Sequence, residues 1–167
     1  MALHFSRQEF LQRKNKVLNS MKEQNLDAIL MFRQESMYWL TGYDTFGYVF
    51  FQTLILDNKG NVILLTRAPD LRQAQNTSNI EDIRIWVDKD GINPTDDLKQ
   101  ILNELDLKDK NIGIEYEAYG MTGRNALRLN KSLENYCNLE DQSELITKLR
   151  VIKSSEELVY VKKAAEL

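Results

Sequence analysis

The tetrapeptide Asp57-Asn58-Lys59-Gly60 divides two apolar, β-branched runs, residues 49–56 and 62–66. So short a connection, ending in glycine, joins antiparallel neighbours, because a parallel pair needs a crossover of about a dozen residues or more. Any sheet this chain forms therefore contains that hairpin. The other apolar runs alternate with helical patterns, as parallel strands joined by helices do. Together these features predict an α/β domain of three layers. Its sheet is mixed and mostly parallel, contains one antiparallel hairpin, and is flanked by helices.

The helices mark their own ends. Ser6 and Glu9 fit a capping box, with Ser6 on the third backbone N–H and Glu9 reaching back. Apolar Phe10, Leu11, Val17, Leu18 and Met21 follow at near-helical spacing, which predicts a helix over 6–24. Residues 28–32 (AILMF) read as a buried strand, and 34–40 as a short helix stopped by Gly42 in a left-handed cap. Residues 70–76 give one or two helical turns, and 83–87 a strand. Asn93-Pro94 opens a helix whose buried stripe is Leu98, Ile101, Leu102 and Leu105. A strand over 111–116, a helix over 122–135 carrying Ala126, Leu127, Leu129 and Leu133, and a short strand over 136–139 follow. Residues 143–167 are helical with a break at 152–154, where Ser154 and Glu157 offer a second capping box. No glycine or proline stop precedes Leu167, so we expect a larger parent protein.

Composition removes several function classes. The net charge is -3, so no basic excess exists to neutralise a phosphate backbone and no nucleic-acid partner is expected. No apolar run approaches the roughly 20 residues that span a bilayer, and the first residues lack a signal-peptide layout, so no membrane partner is expected. Cys137 is the single cysteine, which excludes an internal disulfide and a thiolate cluster and fits a reducing cytoplasm. His4 is the single histidine, placed where we expect a frayed, solvated and inert side chain. Hydrolytic metal centres and Ser-His triads both draw on histidine, so we expect neither catalytic residues nor metal ligands here.

The remaining polar motifs read mostly as structure. Gly120-Met121-Thr122-Gly123 could hold an anion at a helix start, but a tight turn is the simpler reading. Asp96-Asp97 and Glu156-Glu157 fall in first turns, where negative charge complements the helix dipole, and Glu140-Asp141 lies in a polar loop. Glu115 and Glu117 follow a strand and could face a cleft.

Residues 38–51 (YWLTGYDTFGYVFF) hold seven aromatic residues. Residues 49–51 read as the start of a strand, whereas 43–48 read as a loop. Two readings of that loop stay open: its rings fold back on the core, or they form a contact surface, since rigid rings give large contact area at small entropic cost.

Two segments resemble the creatinase/prolidase/aminopeptidase P family of pita-bread metallohydrolases. Residues 37–43 (MYWLTGY) resemble its "[YW]-L-[TS]-G-[YF]" segment. Residues 149–158 (LRVIKSSEEL) resemble the "R-x-[IV]-K-[SD]-x-x-E-[IL]" string that leads into the catalytic domain. The resemblance implies a creatinase-type amino-terminal domain, ribonuclease H-like, over 1–149, with 150–167 as linker and start of the first catalytic-domain helix. It implies that hydrolysis belongs to that second domain, where two divalent metal ions (Mn, Co or Zn) activate water, although creatinases themselves work without metal. It implies a homodimer in which the loop Tyr43, Asp44, Phe46 and Tyr48 helps close the partner's active site. It marks Arg150, Lys153 and Glu157 as a domain-junction motif that meets the catalytic domain of the same chain. Phe50 stands about where creatinases carry a substrate-binding arginine, which favours Xaa-Pro peptides or related amides over creatine. Two other classes compete: a standalone binding module using the loop 43–48, and a self-contained hydrolase using Glu115 and Glu117 with a metal.

Overall fold

The computed structural model describes residues 3–166. Among these, β1 (Ala28–Met31), β2 (Thr53–Asp57), β3 (Val62–Arg67), β4 (Asp82–Trp86), β5 (Asn111–Ile114) and β6 (Asn138–Asp141) form one sheet in the order β4-β3-β2-β1-β5-β6. The expected hairpin pairs β2 with β3, in register Leu54↔Leu64 and Ile55↔Ile63. β2 also runs against β1, while every other pairing is parallel.

Helices cover both faces. α1 (Arg7–Glu23), α2 (Gln34–Thr41), α3 (Leu71–Thr77) and α6 (Leu145–Val151) lie on one side, and α4 (Pro94–Glu104) and α5 (Gly123–Leu133) on the other. Alternate strand residues divide between the two cores. Leu30, Ile55, Leu65 and Ile112 meet Leu98, Leu102 and Leu129. Ile29, Met31, Leu54 and Leu64 meet Val17, Met21, Met37 and Ile146. Burial on both faces is why the central strands read as unbroken apolar runs. A last helix, α7 (Ser155–Ala165), has no buried residue.

Three local expectations need correction. Residues 49–52 are not strand; Val49 and Phe50 are exposed and β2 begins at Thr53. The last strand lies at 138–141, so Glu140-Asp141 sit in an edge strand rather than a loop. The first capping box is only half formed. Ser6 accepts the Glu9 N–H, but Glu9 turns to Arg13, and Glu156 accepts both the Ser6 N–H and its hydroxyl. The second box, Ser154 with Glu157, is complete.

Candidate functional site

Because β2 alone points the other way, its first residue and the last residues of the five other strands share one rim of the sheet. The connections at that rim carry most of the residues singled out from the sequence.

Glu115 sits where β5 ends, fully buried. Its carboxylate accepts the Phe32 and Arg33 N–H groups at 2.9 and 3.0 Å and the Ser36 hydroxyl at 2.5 Å. These donors are the two backbone N–H groups that lead into α2 and a hydroxyl of its first turn, so Glu115 anchors the start of that helix. Burial pushes its carboxyl up to about 6, against the pull of Ser36, Arg33 and Phe32. Glu117 points elsewhere: its exposed carboxylate pairs with Arg33 at 2.8 Å. A metal centre built on Glu115 and Glu117 does not fit this geometry, since one carboxylate is consumed and the other diverges. Among the described residues no group of three or more His, Cys, Asp or Glu side chains gathers to hold an ion.

The aromatic loop follows α2 through Gly42, whose φ of 84° suits glycine. Its rings divide between the core and the surface. Tyr43 folds back, with no exposure, and donates its hydroxyl to Gln52 at 2.9 Å. Gln52 also accepts from Thr66 and donates to Thr45, which receives the Gly47 N–H. Phe46, by contrast, is 85% exposed, and Tyr48, Val49 and Phe50 are exposed beside it. The loop is pinned from outside too. Arg67 stacks 3.4 Å over the Phe50 ring while pairing with Asp70, and a Cβ on Gly47 would fall 2.6 Å from Asp70 Oδ1. On the other flank Tyr48 meets Tyr119 edge-on, and a Cβ on Gly120 would fall 2.5 Å from the Phe50 carbonyl oxygen. Residues 120–123 are therefore a tight turn; Thr122 caps α5 and Asn125 closes back on Gly120.

Arg150 lies next to this loop, which the sequence did not foretell. One cleft of about 600 Å³ is lined by Arg33, Tyr48, Tyr119, Thr147 and Arg150. A second, of about 310 Å³, is lined by His4, Tyr38, Tyr43, Asp44 and Arg150. Arg150 thus faces the loop from the end of α6. Lys153 instead caps α6, donating to the Arg150 and Val151 carbonyls. Glu157 is not a solvated first-turn charge: it meets Arg13 at 3.1 Å and accepts the Trp39 indole N–H at 2.9 Å. His4 is not frayed either, since its Nδ1 lies 2.6 Å from the Tyr38 hydroxyl. Burial pushes the free Cys137 thiol up to about 11, which leaves it protonated and unreactive at neutral pH. No helix among the described residues is long and apolar enough to cross a membrane.

A three-layer α/β domain with one reversed strand and a ring-bearing rim loop is the class that the fold and site define. The chain belongs to the Creatinase/Prolidase N-terminal domain family, which residues 13–152 match. It is 30% identical, over 97% of its length, to an uncharacterised hydrolase/peptidase of Sinorhizobium fredii. It is 26% identical, over its whole length, to the ectoine hydrolase of Halomonas elongata. The chain spans 43% of the length of each of these curated relatives. A solved prolidase from Thermococcus sibiricus shares the fold, with a TM-score of 0.78 and 22% identity over 94% of this chain and 41% of that one.

Proposed function

We propose that this chain is the non-catalytic amino-terminal domain of a Xaa-Pro dipeptidase/aminopeptidase-like hydrolase, working in a reducing cytoplasm. Residues 1–149 form the domain; 150–167 lead into the first helix of a catalytic domain. That catalytic domain holds the two divalent metal ions (Mn, Co or Zn); among the described residues of this chain no group of three or more His, Cys, Asp or Glu side chains gathers to hold one. The domain has two tasks: to help assemble a homodimer, and to close the partner's active site with the loop of Asp44, Phe46 and Tyr48. Tyr43 serves from beneath as a support.

One observation carries the reading. Phe46 is held 85% exposed at the tip of a loop whose base is locked by buried hydrogen bonds. An exposed ring on a rigid base suits burial against another surface, because little entropy is lost on contact. A second apolar surface supports the junction role: Val151, Ile152, Leu158, Val159 and Val161 are all exposed along the end of α6 and α7. That face suits the catalytic domain of the same chain.

Sedimentation of the chain across a concentration series tests the contact role. Self-association is expected, and Phe46→Ser should weaken it about tenfold, as loss of a buried anchor does. A chain monomeric at every concentration, or a variant that associates equally well, would overturn the loop's part. With Mn²⁺ or Co²⁺ added, the chain should leave a Xaa-Pro dipeptide intact; turnover would overturn the non-catalytic reading.

A further inference from the structure

α7 buries no residue, yet its first turn is held at several points. Glu157 Oε1 accepts the Trp39 indole N–H at 2.9 Å and lies 3.1 Å from Arg13 Nη2. Arg13 Nη1 donates to the Trp39 carbonyl at 2.8 Å, and its Nε donates to Glu9. The guanidinium is 1% exposed and lies over the rings of Phe5, Phe10 and Trp39. Trp39 is thereby gripped at its backbone and at its ring by an ion pair that α7 completes. The preceding residue is tied to the same helix by a second route. The Tyr38 hydroxyl meets His4 Nδ1, and the Tyr160 hydroxyl donates to the His4 carbonyl at 2.7 Å. Both residues lie in the last turns of α2. Thr41 then accepts the Tyr43 N–H, and Gly42 starts the aromatic loop with no intervening linker.

We propose that the Arg13–Glu157–Trp39 cluster couples the seating of α7 to the conformation of the loop 43–48. When α7 lifts, Arg13 keeps Glu9 but loses its second carboxylate, and the Trp39 indole loses its acceptor. A buried charge left with half its partners draws in water, which loosens the end of α2 and the loop that follows. An element without buried surface is the one that opens most easily, so α7 is the natural moving part. Coupling is reciprocal: whatever fixes the loop also favours the seated helix. The inference needs no partner subunit, so its failure would leave the contact role of Phe46 standing, and the reverse.

Backbone hydrogen exchange on the whole chain tests it. In Glu157→Ala, exchange should rise about tenfold or more over residues 155–165 and again over 39–48, with sheet amides unchanged. The chain has two tryptophans, and one indole N–H resonance should move to a solvent-like position. Glu157→Gln keeps an acceptor for the indole and should return most of the protection at 39–48. Arg13→Lys keeps the charge but not the fork, and should loosen both segments by a smaller factor. Glu156→Ala cuts only the tie to Ser6 and leaves the cluster itself, so it should loosen 155–165 and 39–48 together, by a smaller factor than Glu157→Ala. The proposal is overturned if Glu157→Ala frees α7 but leaves 43–48 at wild-type rates, or leaves α7 itself unchanged. It is equally overturned if Glu156→Ala frees α7 while 43–48 stays at wild-type rates.

Discussion

The aromatic loop and α7 both expose large apolar side chains, but they are held by opposite means. The loop rests on neutral hydrogen bonds inside the fold: Tyr43 to Gln52, Thr66 to Gln52, and Gln52 to Thr45. Its base is as buried as the core. α7 rests on carboxylates at its first turn, Glu156 on Ser6 and Glu157 on Arg13, with nothing buried along its length. The contrast teaches that exposure says little about mobility. A surface ring can stand on a foundation that fails only when the domain fails, while a regular helix can be a seated attachment.

The strongest way to break this contrast is Gln52→Leu. It removes the acceptor of the Tyr43 and Thr66 hydroxyls in a site closed to water. We expect a loss of about 3 kcal/mol in the urea-unfolding free energy of the whole domain, as two buried hydroxyls are left unpaired. A loss confined to the loop, with the global midpoint unmoved, would show that the foundation is not part of the core.

A pH series sharpens the contrast through its sign. The Glu115 carboxyl is raised to about 6 in the fold, chiefly by burial. The folded state therefore holds this proton more tightly. Its contribution is fully present below the unfolded value of 4.5 and is lost as pH rises through about 6, on the order of 2 kcal/mol. Glu156 is shifted the other way, held below the usual carboxylate range by the Ser6 hydroxyl and N–H. Its tie is present above the ordinary carboxylate pKa and is lost as pH falls through the lowered value. Acidification should thus add to the folding stability of the whole domain through Glu115 while loosening α7 through Glu156. Unfolding curves of the wild type against Glu115→Gln, with exchange rates at 155–165, read the two trends separately. A common direction in both regions would contradict the division.

Much of the scaffold was legible because it is locally encoded. The hairpin at 57–60, the glycine stop at Gly42, the caps at Ser6, Asn93 and Ser154, and the apolar runs of β1 and β3 each draw on neighbours within a few residues. The rim was harder to read. Which rings of 43–51 turn inward depends on Gln52, Arg67 and Asp70, and no period in the loop reports them. Glu115 looked like a possible ligand because its donors lie about 80 residues away in the chain. Glu156 and Glu157 looked like dipole partners, since nothing near them in sequence announces Ser6, Arg13 or Trp39. The placement of Arg150 beside the loop needed the path of α6 across the sheet.

The reversed direction of β2 has one more consequence. Had it run alongside β1, the intervening chain would have been obliged to travel the full height of the sheet before rejoining it. Instead that stretch departs and arrives on one side, so no span fixes how many residues it must contain. The exposed tip around Phe46 can therefore change in length and composition while α2, Tyr43 and Gln52 keep the interior's volume and register. Novelty in what the rim meets is thereby insulated from the cost of refolding the body that carries it.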